Sequence, residues 1–180
     1  GAAAAVEPAS PAAVADLRAS PLALVEGEQL NGEITSNPAA AQIQWILALL
    51  ADAPPAPAAG PIFTVRATGA AALVGSVWSN QVLTLVEDLP RGRYAVVGMR
   101  AEAAGLVAAR LVFVGGTWRP GCLGTDAPED IEHSMFRFGG LGVWGEFEDI
   151  EFPTVDFLSV SADATQEVWL DLIQVRAGGV

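Results

Sequence analysis

The sequence of 180 residues contains no lysine and only one histidine, His133. A Schiff-base lysine, a phosphate-binding loop of the Gly-Lys type and a histidine-rich metal site are therefore excluded. A Ser/His/Asp triad would have to use His133, yet the chain has no Gly-x-Ser-x-Gly motif. We interpret His133 as a loop or strand-end residue with local hydrogen bonds, and we expect no catalytic residues and no enzyme activity.

Cysteine is equally scarce. Cys122 is the only one, so no disulfide can form within the chain. Because no second cysteine and no histidine stand close to it in the sequence, we predict a small buried thiol rather than a reactive one.

Positive charge is the third shortage. Nine basic residues, all of them arginine, stand against 21 acidic ones, and the net charge is −12. Tight nucleic-acid binding is disfavoured, because affinity for phosphate comes mainly from clustered Lys and Arg. Arginine suits bidentate pairing with carboxylates, so we expect Arg/acid pairs between subunits. The alternative is that a GC-rich coding sequence has replaced Lys with Arg.

Large apolar side chains are few in residues 1–21, which are rich in alanine and proline. We predict an N-terminal arm there, with no basic region typical of a signal peptide. The remainder, 22–180, has the length and apolar content of one domain, since 52% of the chain is hydrophobic. The uncharged stretch 67–86 is interrupted by Gly, Ser, Asn and Gln, which predicts strand, turn and strand rather than a membrane span.

Convincing amphipathic helices are absent from the pattern, and short strand-like runs take their place. Asn31-Gly32 predicts a hairpin between 28–30 and 33–35. The run 42–51 is apolar on both faces and predicts a central strand or a short buried helix. A Pro-rich connection follows over 53–61. Further strands are predicted at 62–68, 81–87, 93–101, 106–114, 134–138, 143–147, 155–162 and 166–175, with a long connection at 117–133.

Short strands separated by Gly, Pro and Asn predict an all-β fold. We expect an antiparallel β-sandwich, most simply a single jelly roll with an extended N-terminal arm. An immunoglobulin-type sandwich is the alternative, although its cysteine pair is missing. Strand alternation places these residues among the predicted core: Val96, Leu111, Phe113, Leu158, Val168, Leu170 and Leu172.

Two groups of acidic residues and five tryptophans are the remaining candidates for a site. The acidic groups are Asp126, Glu129, Asp130 and Glu132, and Glu146, Glu148, Asp149 and Glu151. We interpret both as solvated acidic rims, with a Ca²⁺ site or a glycosidase-like pair as alternatives, and we predict no metal or cofactor. The tryptophans, interpreted as core and interface anchors rather than a sugar-binding face, are Trp45, Trp78, Trp118, Trp144 and Trp169.

Four segments in the second half of the chain carry a resemblance to a known family. They are LPRGRYAVVGMRAEA, ARLVFVGGTWRPGCLG, FRFGGLGVWGEF and PTVDFLSVSADATQEVWLDLIQV. Over roughly residues 60–176 the chain resembles the jelly-roll coat proteins of tailless, icosahedral bacteriophages. The resemblance implies a structural role in a virion, no catalysis, and contacts through strand ends and loops. Its partners would be copies of itself and other capsid proteins. Because the arm is not basic, it would touch a neighbour or an internal membrane.

The sequence therefore predicts a non-enzymatic capsid subunit that self-assembles into an icosahedral shell. The unusual apolar content favours a surface that is buried on assembly. A carbohydrate- or ligand-binding β-sandwich module is the alternative, and an enzyme on the same scaffold, dependent on His133, is a third class.

Overall fold

The computed structural model describes residues 17, 20, 22–31, 48, 50, 53, 55–70, 72–125 and 136–178. These residues form strands, turns and irregular segments, and they include no helix that is long and apolar enough to cross a membrane. The strands are β1 (Phe63–Gly69), β2 (Trp78–Gln81), β3 (Thr84–Leu85), β4 (Gly92–Glu102), β5 (Leu106–Val112), β6 (Gly121–Thr125), β7 (Gly145–Glu148), β8 (Thr154–Ser159) and β9 (Gln166–Ala177). The predicted all-β class is confirmed.

Four of the strand pairs are nested in sequence, so that each pair encloses the next one, as in one long hairpin. β5 pairs with β6, β4 with β7, β2 with β8, and β1 with β9, all antiparallel. Two further antiparallel ladders join neighbouring pairs of this hairpin to each other. β4 pairs with β9, and β5 pairs with β8. The result is one row of strands in the order β1-β9-β4-β7 and a second in the order β2-β8-β5-β6.

The two rows belong to one curled, open sheet. They join where the end of β4 runs parallel to β6, with Ala101 opposite Gly124. They meet again through the segment 78–86, in which β2 pairs with β8 of the second row and β3 pairs with β1 of the first. Only Val82 and Leu83 separate β2 from β3, so this segment carries the chain from one row to the other.

Both rows contribute side chains to one apolar cluster. Burial alternates along β1 and β8; in β8, Val155 and Phe157 are buried and Asp156 between them is half exposed, whereas β4 and β5 are buried along most of their length. The first row supplies Tyr94, Val96, Met99, Val168, Leu170 and Leu172 to the cluster, and the second row supplies Leu106, Leu111, Cys122, Val155 and Phe157. Burial of these side chains is the main source of stability, at about 1.5–3 kcal/mol for each large one.

The predicted core is largely confirmed. Val96, Leu111, Val168, Leu170 and Leu172 are fully buried, and Phe113 packs against the cluster while half buried. Leu158 is a wrong assignment. It lies on the opposite face of β8 from Phe157, because a shift of one residue in a strand moves a side chain to the other face.

Most predicted strands are found, with four differences. In place of the predicted strand 81–87 there are two short strands, β2 and β3. Val82 and Leu83 separate them, because the chain changes its pairing partner there from β8 to β1. Residues 28–30 are exposed and irregular rather than half of a hairpin, as expected for two strands without a packed face. Residues 136–138 begin a turn instead of a strand. The predicted connection 117–133 contains β6.

β6 was missed because its sequence, Gly-Cys-Leu-Gly-Thr, has few residues typical of strands. Gly121 has a packing reason: a Cβ there would collide with the Ala109 carbonyl oxygen of β5. The two backbones therefore approach more closely than side chains would allow. Residues 33–35 lie outside the described residues, as do nearly all of the arm 1–21 and of the apolar run 42–51.

Candidate functional site

The second acidic group lies at the start of β4 and the ends of β7 and β9, where Glu146, Glu148 and Asp149 have partners. Arg93 Nε lies 2.6 Å from Glu146 Oε2, and Arg176 Nη2 lies 3.0 Å from Glu148 Oε1. Asp149 Oδ1 accepts a hydrogen bond of 2.8 Å from the Gly92 amide. The carboxylates therefore diverge toward separate partners rather than converging on one point.

Metal binding was the alternative interpretation of these acids. Within the described ranges, no group of three or more His, Cys, Asp or Glu side chains is arranged to hold a metal ion. The first acidic group, Asp126 to Glu132, lies outside the described residues, and so does His133.

A depression of about 540 Å³ opens beside the second acidic group. Arg91, Arg176, Glu148 and Asp149 line it together with the turn that contains Gly92. Ile150 stands at its rim and is 90% exposed. Charges of both signs alternate around the depression, so it offers no concentrated field to a ligand of either sign.

Most of the described arginines form ion pairs with carboxylates of the same chain. In the part that the structure describes, each of the following arginines pairs with a carboxylate: Arg66 with Glu167, Arg93 with Glu146, Arg100 with Glu102, Arg110 with Asp156, Arg137 with Asp171, and Arg176 with Glu148. Arg119 instead donates to the carbonyls of Gly116 and Trp118. These arginines therefore pair with carboxylates of the same chain, and the Arg/acid pairs expected between subunits stay a prediction.

The strongest polar arrangement centres on Asp171, whose side chain in β9 is completely buried on the face opposite the apolar cluster. Arg137 grips it with two hydrogen bonds, Nε to Oδ2 at 2.7 Å and Nη2 to Oδ1 at 3.0 Å. The Thr64 hydroxyl donates to Oδ1 at 2.6 Å, and the Phe138 amide donates to Oδ2 at 2.7 Å. We call Arg137, Asp171 and Thr64 the clamp.

The clamp fixes a turn that presents Phe138 to solvent. Phe138 is 64% exposed and has a positive φ of 55°. Such a backbone conformation costs a bulky residue about 1–3 kcal/mol, and the hydrogen bond from its amide to Asp171 holds it in place. The Arg137 guanidinium lies 4.6 Å from the centre of the Phe138 ring. The Asp171 carboxylate has four donors and no free lone pair directed at solvent, so it positions this turn rather than reacting.

A second polar group lies on the outer face of the second row. Arg110 Nε lies 2.9 Å from Asp156 Oδ2, and its guanidinium stacks 4.1 Å from the centre of the Trp78 ring. Asn80 donates to Asp156 Oδ1 at 2.7 Å and to the Thr154 hydroxyl at 2.9 Å. These groups join three adjacent strands, β2, β8 and β5, and satisfy one another's hydrogen bonds.

The tryptophans do not share one face. Trp144 is buried in the apolar cluster, and Trp118 packs against it while half buried. Trp78 and Trp169 lie on outer faces beneath Arg110 and Arg100, respectively. The core role is confirmed for Trp144, while an interface role for Trp78 and Trp169 stays a prediction and Trp45 lies outside the described residues.

Burial changes two titrations. It raises the pKa of Cys122 to about 12, which makes the thiol inert at neutral pH, as predicted. Burial and, to a smaller extent, the negative charge of Asp149 raise the pKa of Tyr94. The Tyr94 hydroxyl donates to the Pro90 carbonyl at 2.5 Å, which anchors the turn before β4.

The clamp was missed by sequence reasoning. Its residues lie far apart in the chain, with Thr64 and Asp171 separated by 107 positions. One signal was available: Asp171 is a lone acid within the apolar run Trp-Leu-Asp-Leu-Ile, and a buried acid needs a cationic partner. That partner could not be chosen among nine arginines without the fold.

Comparison of the chain with protein-family models, with curated proteins and with solved structures finds no match.

Proposed function

We propose that this chain is a non-enzymatic structural protein, a viral coat subunit that self-assembles into an icosahedral shell, and that its curled sheet is a jelly roll. The observation that carries the proposal is the nested pairing of the strands. A jelly roll is a long antiparallel hairpin folded sideways into two rows of four strands, and in this chain the short β3 adds a fifth strand beside β1. Shell subunits are among the proteins built on this fold, whereas the fold alone assigns no function.

Exposed apolar side chains on the surface support the proposal, because assembly would bury them. Large apolar side chains are highly exposed at separate points of the molecule, among them Val82 at 78%, Val114 at 68% and Ile150 at 90%. Exposed apolar side chains are ordinary when single, but they are also the contacts from which small repeated interfaces are built. The resemblance of residues 60–176 to phage coat proteins also supports the proposal.

The charge distribution supports assembly through protein contacts. Because most described arginines are paired with carboxylates of the same chain, they have little capacity left to bind phosphate. A particle made of this chain should therefore not require nucleic acid to hold it together.

A second candidate, a carbohydrate-binding module, is favoured by one observation. Trp78 is partly exposed beside Asn80 and Asp156 on an outer sheet face, a combination of aromatic and polar groups that suits sugars. Against it, Arg110 already covers one face of the ring, and the polar groups satisfy one another.

Sedimentation and negative-stain microscopy of the purified chain test the proposal. We expect uniform oligomers or shells that survive nuclease, dissociate on dilution and are not weakened by high salt, because salt screens the repulsion between copies of a chain with a net charge of −12. Parallel chromatography on immobilised glycans tests the second candidate, for which we expect a retained monomer. A chain that stays monomeric at high concentration, or that loses its assembly only on nuclease treatment, would overturn the coat-subunit proposal.

A further inference from the structure

The segment Trp78–Val86, which carries the chain between the two rows, presents one continuous row of outward side chains. Along it, exposed residues alternate with less exposed ones: Gln81 and Leu83 are buried, and Ser79 and Leu85 are half buried. The outward residues are Trp78, Asn80, Val82, Thr84 and Val86, all exposed. We call these five residues the neutral ridge. An extended segment of this length spans about 30 Å at roughly 3.3 Å per residue.

The neutral ridge lies in the longest uncharged part of the chain. No Asp, Glu, Lys or Arg occurs from residue 67 to residue 86, although the whole chain carries a net charge of −12. Two charged side chains approach one end of the ridge, and they neutralise each other: Arg110 stacks on Trp78 and pairs with Asp156 at 2.9 Å. The first acid beyond the other end, Glu87, accepts a hydrogen bond from the Arg66 amide.

The absence of charge on the neutral ridge indicates what kind of partner binds there. Two copies of a strongly acidic chain repel each other wherever their carboxylates approach, so the least costly contact between copies uses surface without charge. A different partner of opposite charge would gain nothing from the neutral ridge, since the ridge offers it no charge to pair with. The fitting occupant is a second copy of this chain.

The order of residues along the ridge is self-complementary about its centre. Val82 is the middle residue and, at 78%, the most exposed of its apolar side chains. If a two-fold axis passes through it, the ridges of two copies lie antiparallel. Val82 then meets Val82 of the other copy, Asn80 meets Thr84, and Trp78 meets Val86. Apolar residues meet apolar residues and polar meets polar, as an isologous contact requires.

The same register avoids like charges beyond the ridge. Continued outward, it places Glu87 opposite Val77 of the other copy and Asp88 opposite Ser76, so no carboxylate of this segment faces another carboxylate of the segment. From these observations we infer that two copies associate through the neutral ridge, antiparallel, about a two-fold axis at Val82. The inference rests on the self-association proposed above and names one of its contacts. A single row of five residues is smaller than a standard interface, so the contact is weak alone and effective only when repeated.

Disulfide trapping tests the register. The Val82→Cys chain should form a covalent dimer under mild oxidation, because each introduced thiol meets its own copy at the axis. Asn80→Cys and Thr84→Cys should cross-link when mixed with each other and much less when oxidised separately. Val175→Cys, exposed at 51% in β9, is the matched control and should remain monomeric on denaturing gels, as should the parent chain with its buried Cys122.

A charge variant completes the test. Val82→Asp brings two carboxylates together at the axis, and we expect self-association measured by sedimentation to weaken at least tenfold, with Val175→Asp unchanged. If the parent chain associates but Val82→Cys does not cross-link and Val82→Asp associates normally, the ridge contact is wrong and the coat-subunit proposal stands. If the parent chain does not associate under any condition, both are overturned.

Discussion

Gly98 leaves open the space that the Asp171 carboxylate occupies. A Cβ at residue 98 would lie 2.5 Å from Asp171 Oδ2 and 2.8 Å from the Arg137 Cα and the Phe136 carbonyl oxygen. The irregular pairing of β4 with β9 between Val96 and Gly98 accompanies this close approach. The sheet is thus shaped around the clamp.

Substitution of Gly98 should therefore disturb both the sheet and the turn that carries Phe138. We expect Gly98→Ala to lower the free energy of unfolding by about 1–3 kcal/mol through overpacking. Gly115→Asn is the control: its site is open, and asparagine tolerates a positive φ, so we expect a loss below about 1 kcal/mol. Denaturant titration measures both losses. Equal losses would mean that the close approach at Gly98 is not a constraint.

Removal of the charge of Asp171 should be costly. Asp171→Asn leaves the Arg137 cation without its carboxylate in a largely buried position, and such losses amount to about 3–5 kcal/mol. Glu148→Gln breaks an exposed pair with Arg176, for which about 0–1 kcal/mol is typical. The two variants should differ in thermal and denaturant unfolding. If Asp171→Asn is as mild as Glu148→Gln, the clamp does not stabilise the fold.

Leu170 tests the apolar cluster. Its side chain is fully buried, so Leu170→Ala should destabilise the protein by about 2–5 kcal/mol through lost burial and the cavity left behind. Val175→Ala, further along β9 and exposed, should change stability by less than about 0.5 kcal/mol. Unfolding in urea distinguishes the two. A loss below 0.5 kcal/mol for Leu170→Ala, on the same scale, would place this strand outside the core.

Cys122 gives a prediction for alkaline pH. Its pKa is about 12 in the folded protein against an ordinary value of 9.0, so the unfolded thiol ionises first as the pH rises. The corresponding stability is fully present below pH 9 and is lost as the pH rises toward 12. Unfolding free energy measured from pH 8 to 11 should fall less steeply for Cys122→Ala than for the parent chain.

The raised pKa of Tyr94 acts in the same direction, so Tyr94→Phe is the companion variant. A thiol reagent should modify Cys122 only after denaturation. Rapid modification of the native protein, or identical pH slopes for the parent chain and Cys122→Ala, would contradict the burial of this residue.

Short apolar runs bounded by turn residues carried most of the fold prediction. β4, β5, β8 and β9 were located because each is such a run with Gly or Pro residues at its ends. β6 escaped because its packing depends on the absence of side chains at Gly121, which is a property of the neighbouring strand and not of the local pattern. The parity error at Leu158 arose because β8 has apolar residues on both faces.

The polar arrangements were less accessible to sequence reasoning. The sequence led us to expect Arg/carboxylate pairs between subunits, which stays a prediction, whereas the pairs that the structure describes lie within the chain and depend on strand register. Arg93 and Glu146, for example, meet only because β7 lies beside β4. Distant partners such as Arg137 and Asp171 require the complete topology.

The nested ladders also set an order for folding. The β5·β6 pair closes a short loop, whereas the β1·β9 pair joins strands about as far apart in sequence as Thr64 and Asp171, 107 residues. Loop-closure entropy favours the short closure first, so the hairpin should zip outward from its centre and complete β1·β9 last. During synthesis β1 emerges before β9, so the edge of β1 that pairs with β9 stays open until β9 has followed. The rate at which the fold is completed is then set by its last strand.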